Sequence, residues 1–412
     1  AVGRSALAAN TTGHSNVAVG KEALKTNTDA DESVAIGTRS QEASNANANT
    51  SVGAYSMLAN TSGSENVALG KSSLYSNTTG ASNVAVGVGA LLYNTTADYN
   101  IAVGRNALLL NTTGTENVVI GAYAADAGTN ISNTVAVGYN ALTNTTNNHN
   151  TACGSKALED TTSGSGNVAV GSLCLTDTTT GISNTSVGFA ALRYQTTGSG
   201  SSALGSGALS NNTSGYNTAI GYLAANVNTS GSSLVAVGAY ALDANTTGNS
   251  NTGVGYNALG ANTTGANNVA LGSEALDACT TGSNNTALGM QSLSALTTES
   301  FCTAIGVASL KVNTGRNNTA LGQSSLTDNT TGHFNVAVGS VALGNNTEGI
   351  KNTAIGYLAG DNLTTGDNNT VIGNNADASS ATVDNEITLG DSNIATLRCN
   401  VQTISSLSDA RD

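Results

Sequence analysis

Hydrophobic and polar positions repeat with a fixed period along nearly the whole chain. The run Asn-Val-Ala-Val-Gly occurs at 16–20 and returns at 83–87, 100–104, 167–171 and 335–339, with degenerate copies between. The closing glycines follow one another every 17 residues, as from Gly3 to Gly20 and Gly37, and the interval drops to 16 residues in four places, as from Gly37 to Gly53. A fixed short period predicts a solenoid of stacked coils, here about 24 coils.

The opening run of each repeat predicts a short β-strand, because β-branched residues alternate with small ones. Val17 and Val19 point to one face of this strand and Ala18 to the other. Apolar side chains on both faces predict that both faces are covered, one by the coil interior and the other by a closely apposed surface, most simply another chain. The small middle residue is expected to mark a close-packed face. The fold class is therefore all-β, a parallel β-solenoid.

Two further segments complete the consensus repeat. An Ala-Leu pair, as at Ala23-Leu24, is expected to stack its Leu on the next coil; it fits a second strand or one helical turn, and we favour the strand. The sequence Asn-Thr-Thr-Gly, as at 77–80, predicts a turn in which Asn and Thr bond their own backbone and Gly supplies a positive φ. The Asn that opens each strand recurs in register and predicts an amide ladder along the axis.

Composition limits how the chain can be stabilised. The 412 residues include 49 Gly, three Phe and neither Pro nor Trp, so the core must be thin. Ordering the chain costs about 1.5 kcal/mol of conformational entropy per residue. Burial of only two or three large aliphatic side chains per coil offsets little of that cost. We therefore infer that chains associate and bury a second face.

Charge and cysteine spacing exclude several classes of partner. Only 9% of the residues are charged, the net charge is −13, and no basic stripe is present, which argues against nucleic acid. No apolar run is long enough to predict membrane insertion. Cys153 and Cys174 replace usual apolar residues and are predicted to be buried, and no cysteine spacing predicts a metal site or a cofactor.

Catalytic groups are not brought together by the repeat. His14, His149 and His333 fall in the turns of distant coils, which predicts solvated side chains and neither a shared metal nor a triad. A glycan lyase would interrupt the pattern with clustered acids, so we predict that the chain is not an enzyme. Turn chemistry explains Asn-Thr-Thr better than glycosylation does, and an adjacent Thr pair in a turn does not fit an ice-binding face.

Tyrosines recur beside the strands and are candidate glycan contacts. Four directly follow the strand-closing Gly and two lie one step later: Tyr139, Tyr222, Tyr256 and Tyr357, then Tyr123 and Tyr240. Such rings can stack on sugars on an outer face, or they can cap the edge of the thin core. Both interpretations remain open from the sequence.

The regular pattern ends near the last closing glycine. Residues 1–390 are predicted to form a repetitive shaft, and residues 391–412 form a different segment rich in Ile, Leu and Val, a neck leading to a C-terminal domain. Because the sequence begins within a repeat and without Met, we expect it to be part of a longer protein.

The repeat resembles the head repeat of trimeric autotransporter adhesins, a YadA-like left-handed parallel β-roll. Ser33-Val34-Ala35-Ile36-Gly37 matches that family's pattern well, although the present coil is two or three residues longer. The resemblance implies a homotrimer.

The last residues resemble the start of the intramolecular chaperone domain of phage tail fibres and endosialidase tailspikes. They read Leu407-Ser408-Asp409-Ala410-Arg411, and the resemblance implies a trimerising chaperone and self-cleavage near Ser408-Asp409. Together the two resemblances imply a phage tail or head fibre shaft, located in the virion, that contacts other virion proteins and a glycan or protein receptor on the host. The alternative is a trimeric adhesin on a bacterial surface.

Overall fold

A computed structural model describes residues 1–396, and these form two compact units. Unit 1 spans residues 1–284 and unit 2 begins at residue 285. After the first repeat, each coil contributes one three-residue strand. The strands of unit 1 are β1 Val17–Val19, β2 Val34–Ile36, β3 Thr50–Val52, β4 Val67–Leu69, β5 Val84–Val86, β6 Ile101–Val103, β7 Val118–Ile120, β8 Val135–Val137, β9 Thr151–Cys153, β10 Val168–Val170, β11 Thr185–Val187, β12 Ser202–Leu204, β13 Thr218–Ile220, β14 Val235–Val237, β15 Thr252–Val254 and β16 Val269–Leu271. Those of unit 2 are β17 Thr286–Leu288, β18 Thr303–Ile305, β19 Thr319–Leu321, β20 Val336–Val338, β21 Thr353–Ile355, β22 Thr370–Ile372 and β23 Ile387–Leu389.

Within each unit every strand pairs in parallel with the next strand along the chain. The pairing joins equivalent positions, as Ala18 with Ala35 in β1 and β2 and Thr303 with Thr319 in β18 and β19. The prediction of an all-β parallel solenoid is therefore confirmed. It has about 22 turns rather than about 24. One reason is that the first repeat contributes only an isolated bridge, at Val2.

The middle residue of the strand faces the coil interior. It is buried in β1 to β22, and Ala85 and Ala102 are fully inaccessible. Most coils have a small residue here because the strand packs closely on the turn segment of its own coil, where a Cβ on Gly253 would lie 2.9 Å from the Ala258 carbonyl oxygen. Two coils accommodate a larger side chain, Val119 in β7 and Val371 in β22. The first and third residues point outward and stay partly exposed, so the close-packed face predicted from the small residues is the coil interior.

The Ala-Leu segment is a turn, so the favoured second strand is wrong. Leu24 has a φ of 48° and Glu22 a φ of 60°, and the same two positions are left-handed in most coils. Such a conformation is rare for Leu and costs about 1–3 kcal/mol. Backbone hydrogen bonds between coils offset that cost, since the Leu24 N–H donates to the Ser40 carbonyl at 3.1 Å.

The Leu of this segment forms the core, as predicted. Leu24 is buried with Ala18, Ala23 and Ala35, and Leu7 of the preceding coil packs against this group. Equivalent leucines such as Leu91 are fully buried in their coils. The core is thus one column of Leu and Ala rather than a wide globular interior.

Two glycines per repeat have different roles. The strand-closing Gly87 has a φ of 134°, and a Cβ there would lie 2.4 Å from the Gly104 carbonyl oxygen. Gly80, in the Asn-Thr-Thr-Gly turn, does not have the predicted positive φ. It is required because a Cβ would lie 2.4 Å from the Ala97 carbonyl oxygen of the next coil.

The strand-opening asparagines form the predicted ladder. The Asn83 backbone N–H donates to Asn66 Oδ1 at 2.9 Å, and the Asn100 N–H donates to Asn83 Oδ1 at 3.0 Å. A second column arises from the Asn of the turn, where Asn77 Nδ2 donates to Asn60 Oδ1 at 2.9 Å. These side chains are buried and pair the backbone groups that the short strands leave without partners.

Candidate binding surfaces

The outward face of the sheet carries a row of aliphatic side chains, which we call the sheet stripe. It consists of the third residue of each strand, and this residue is Val, Ile or Leu in every described strand except β9, where it is Cys153. Ile36 is 39% exposed and Leu204 50% exposed. At about 4.8 Å per coil, the fifteen steps of unit 1 give a stripe about 70 Å long. A continuous apolar surface of this length is unusual for a chain that stays alone in solution.

The stripe is uneven near β12. A hollow of about 170 Å³ opens on the sheet face there, because Ser202 replaces the usual β-branched first residue. Its lining is Thr185, Val187, Ser202, Ala203, Leu204 and Ile220. The neighbouring Leu204 projects beside it, so this part of the stripe has both a protruding side chain and a recess.

Cys153 lies within the stripe. Its neighbours in register are Val137 of β8 and Val170 of β10, and the thiol is exposed. The prediction that Cys153 is buried is therefore wrong, because the third strand position faces outward. Cys174 is buried as predicted, and burial raises the pKa of its thiol.

The predicted tyrosines lie on the surface beside the sheet. About half of each side chain is accessible at Tyr139, Tyr222, Tyr256 and Tyr357. Tyr240 brings two of them together, since its ring packs edge-to-face on Tyr222 at 5.5 Å and on Tyr256 at 6.0 Å. These rings are therefore held by each other on the outside of unit 1.

The other predicted tyrosines are distributed more widely. Tyr139 packs edge-to-face on Tyr123 at 6.3 Å, and the Arg105 guanidinium lies 5.8 Å from the Tyr123 ring centroid. Tyr357 belongs to unit 2. The four predicted residues thus do not form one site.

A second set of exposed groups lies on the turn edge of unit 2. We use "turn-edge pocket" for the hollow of about 230 Å³ lined by Glu299, Thr314, Gly315, Arg316, Thr331 and His333. It spans three consecutive coils, since the Asn317 N–H donates to the Ser300 carbonyl and the Phe334 N–H to the Arg316 carbonyl, both at 3.3 Å. Phe301 and Phe334 are exposed on the same edge, and the Phe334 ring lies 5.2 Å from that of His333.

Sequence reasoning missed this pocket. The sequence predicts His333 only as an isolated turn histidine, because its neighbours in space are a whole repeat away along the chain. The available signal was the pair of turn positions before each strand-opening Asn. Small or acidic residues occupy them in most coils, but Phe301, Arg316, His333 and Phe334 occupy them in three successive coils. Glu299 stands one position earlier, where Gly315 and Gly332 stand in the next two coils.

Ionisable groups elsewhere include a row of ion pairs in the first coils of unit 1, where Arg39 pairs with Glu22 and Glu42. Within residues 1–396, no group of three or more His, Cys, Asp or Glu side chains is placed to hold a metal ion. His14 pairs with Asp31 at 3.2 Å on the surface of unit 1. Burial raises the pKa of the Asp126, Asp243 and Asp277 carboxyls, which lie in three separate coils.

No protein-family model matches this chain, and no curated protein matches it. Among residues 1–396 there is no helix of the length and apolar character needed to span a bilayer. Ser408 and Asp409, the predicted processing junction, lie outside the described residues, as does most of the predicted neck.

Proposed function

We propose that this chain is the shaft of a viral fibre, a non-enzymatic structural protein that associates with two further copies through the sheet stripe. The observation that carries the proposal is the row of outward aliphatic side chains, one in every described strand except β9, where the row contains Cys153. Burying the exposed part of each would contribute about 0.6–1.5 kcal/mol, given about 1.5–3 kcal/mol for a whole side chain. Summed over many coils, this favours association.

A second copy of the chain is the partner that best fits the stripe. Apolar side chains recur along it at the coil spacing of about 4.8 Å, and another parallel solenoid has the same spacing. Copies that lie parallel and in register place each aliphatic row beside its equivalent. The recess at Ser202 and the projecting Leu204 favour one register over its neighbours.

The number of copies and the virion location rest on the two sequence resemblances. The repeat unit resembles a trimeric head, and residues 407–411 resemble a fibre chaperone junction. In this proposal the trimeric shaft contacts other virion proteins and holds a receptor-binding surface towards the host. The repeat unit at 33–37 also favours the alternative, a trimeric adhesin on a bacterial surface.

Native mass spectrometry of the purified chain tests the assembly. We expect three chains; two chains would contradict the trimer but keep the stripe as an interface, and a single chain at micromolar concentration would contradict both. Cys153 provides a register probe, because an in-register assembly brings the three copies of this thiol together. A short bismaleimide is expected to cross-link the wild-type chain through Cys153, whereas Cys153→Ser removes that cross-link.

Immunogold labelling with an antibody against the chain tests the location. In a culture of the source organism that releases virus particles, we expect label on the particles. Label confined to the surface of intact cells would support the adhesin instead.

A further inference from the structure

We propose that the turn-edge pocket of unit 2 binds an acidic sugar, with Arg316 holding the sugar carboxylate. The inference rests on the proposed attachment function, since it names the ligand class and the residues for receptor contact. It uses residues different from the tyrosines that the sequence predicted.

The pocket is set apart from the rest of the turn edge by its side chains. Arg316 is exposed, and within residues 1–396 neither Arg316 nor Glu299 forms an ion pair with another side chain. Both line the same hollow, one coil apart. Each therefore keeps its hydrogen-bonding capacity for a ligand.

The mixture of groups matches what a sugar requires. Hydroxyl groups both donate and accept, and the pocket offers the Glu299 carboxylate, the Thr314 and Thr331 hydroxyls and the His333 imidazole. The apolar face of a pyranose packs on aromatic rings, and Phe334 lies beside His333 on this edge. A flat apolar site or a purely charged one would not supply both kinds of contact.

The guanidinium of Arg316 favours an acidic sugar over a neutral one. The edge as a whole is balanced in charge, since Arg316 and Lys351 are matched by Glu299 in the pocket and Glu348 one coil beyond Thr331, so the selection of a carboxylate rests on Arg316 itself. A guanidinium binds a carboxylate through two parallel hydrogen bonds, which adds geometry as well as energy. The hollow of about 230 Å³ is smaller than pockets for drug-sized ligands, which suits one sugar residue of a longer glycan.

Binding is tested on the full chain with three soluble probes, by isothermal titration or ligand-observed NMR. Sialyllactose and trigalacturonate carry carboxylates from the two main classes of acidic sugar, and lactose is the neutral reference. We expect at least one acidic probe to bind at least tenfold more tightly than lactose, and the better acidic probe identifies the source. Failure of both acidic probes to bind at about 10 mM, or equal binding of lactose, would overturn the proposal.

Arg316→Gln is the decisive variant, and Arg105→Gln is its matched control in unit 1. Loss of charged hydrogen bonds is expected to weaken acidic-probe binding by about 10- to 150-fold in Arg316→Gln, and Arg105→Gln should bind as the wild type does. Wild-type affinity in Arg316→Gln would refute the role of Arg316. Native mass spectrometry of the same samples separates this result from a failure of the fibre proposal, because the trimer is measured independently of sugar binding.

Discussion

Replacing Asn83 with alanine is expected to open one coil of unit 1 without unfolding the rest. Asn83 is fully buried in the column of strand-opening asparagines. Its Nδ2 donates to the Ala97 carbonyl at 2.8 Å and to Asn66 Oδ1 at 3.2 Å, and its Oδ1 accepts from the Asn100 N–H at 3.0 Å. All three hydrogen bonds are lost in Asn83→Ala.

The hydrogen-bond partners of Asn83 are affected to different extents by this substitution. The Ala97 carbonyl still accepts from Asn94 Nδ2 at 3.1 Å, and Asn66 Oδ1 still accepts from the Asn83 backbone N–H at 2.9 Å. The Asn100 N–H is left buried without an acceptor, which costs about 1–3 kcal/mol. With two further hydrogen bonds at about 0.5–1.5 kcal/mol each, the free energy of opening this coil should fall by about 2–6 kcal/mol.

Hydrogen exchange by mass spectrometry measures this local change, because coils of a solenoid open partly independently. Amides around Asn100 are expected to exchange about 30- to 20,000-fold faster in the variant. Asn211→Ala is the control, since Asn211 Nδ2 makes one hydrogen bond, to the Asn226 carbonyl at 3.1 Å. If Asn83→Ala raised exchange less than tenfold, or no more than Asn211→Ala does, the ladder would not be what stabilises these turns.

Three further substitutions test backbone strain and charge burial. Val341 is β-branched at a φ of 58°, so Val341→Asn should relieve strain and raise the melting temperature, whereas Val307→Asn, outside the left-handed positions, should not. Gly87→Ala should destabilise its coil by more than about 3 kcal/mol in chemical unfolding, because the added Cβ meets a carbonyl at 2.4 Å. Burial raises the pKa of the Asp277 carboxyl in the folded chain. At a pH above this folded pKa the charged carboxylate therefore destabilises the fold, whereas below 3.8, the pKa in the unfolded chain, the carboxyl is protonated in both states and has no such effect. Asp277→Asn should therefore raise the melting temperature at pH 7 and leave it nearly unchanged at about pH 3; an equal effect at both would contradict this.

The period in the sequence was sufficient to predict the solenoid and its ladder. A repeat of nearly constant length places equivalent residues one above another, so the Asn columns and the buried Leu follow directly from alignment of the coils. The conformation within a coil did not follow. Ala-Leu carries no cue for a left-handed turn, because the conformation of Leu24 is imposed by hydrogen bonds to the next coil and not by its own preference.

Surface sites were predicted less well, for a related reason. The tyrosines stand out in the sequence because they share one position in the repeat, but only Tyr222 and Tyr256 are linked, and the link is Tyr240 of the coil between them. The turn-edge pocket combines different positions from three coils, which a consensus averages away. Departures from the consensus are therefore better guides to binding sites in a solenoid than the consensus itself.

The two faces of a single strand give the sharpest test of how the coil is oriented. In β13, Ala219 is fully buried and Ile220 is 42% exposed. Ala219→Leu should overpack the coil interior, destabilising it by about 1–3 kcal/mol while leaving the association between chains unchanged.

Serine at three stripe positions, Leu204, Ile220 and Val237, should have the opposite effect. Burying the exposed part of each of these side chains between chains would contribute about 0.6–1.5 kcal/mol. The free energy of association should therefore be weaker by about 2–4 kcal/mol per chain in the triple variant, which should dissociate at concentrations about 30-fold higher or more. Its coils should remain folded, since Ser202 and Thr218 already occupy outward positions of the same strands. Sedimentation velocity across a dilution series, with circular dichroism on the same samples, separates the two outcomes. If Ala219→Leu dissociated the chains and the serine variant did not, the small residues would be the interface and the proposed role of the sheet stripe would be wrong.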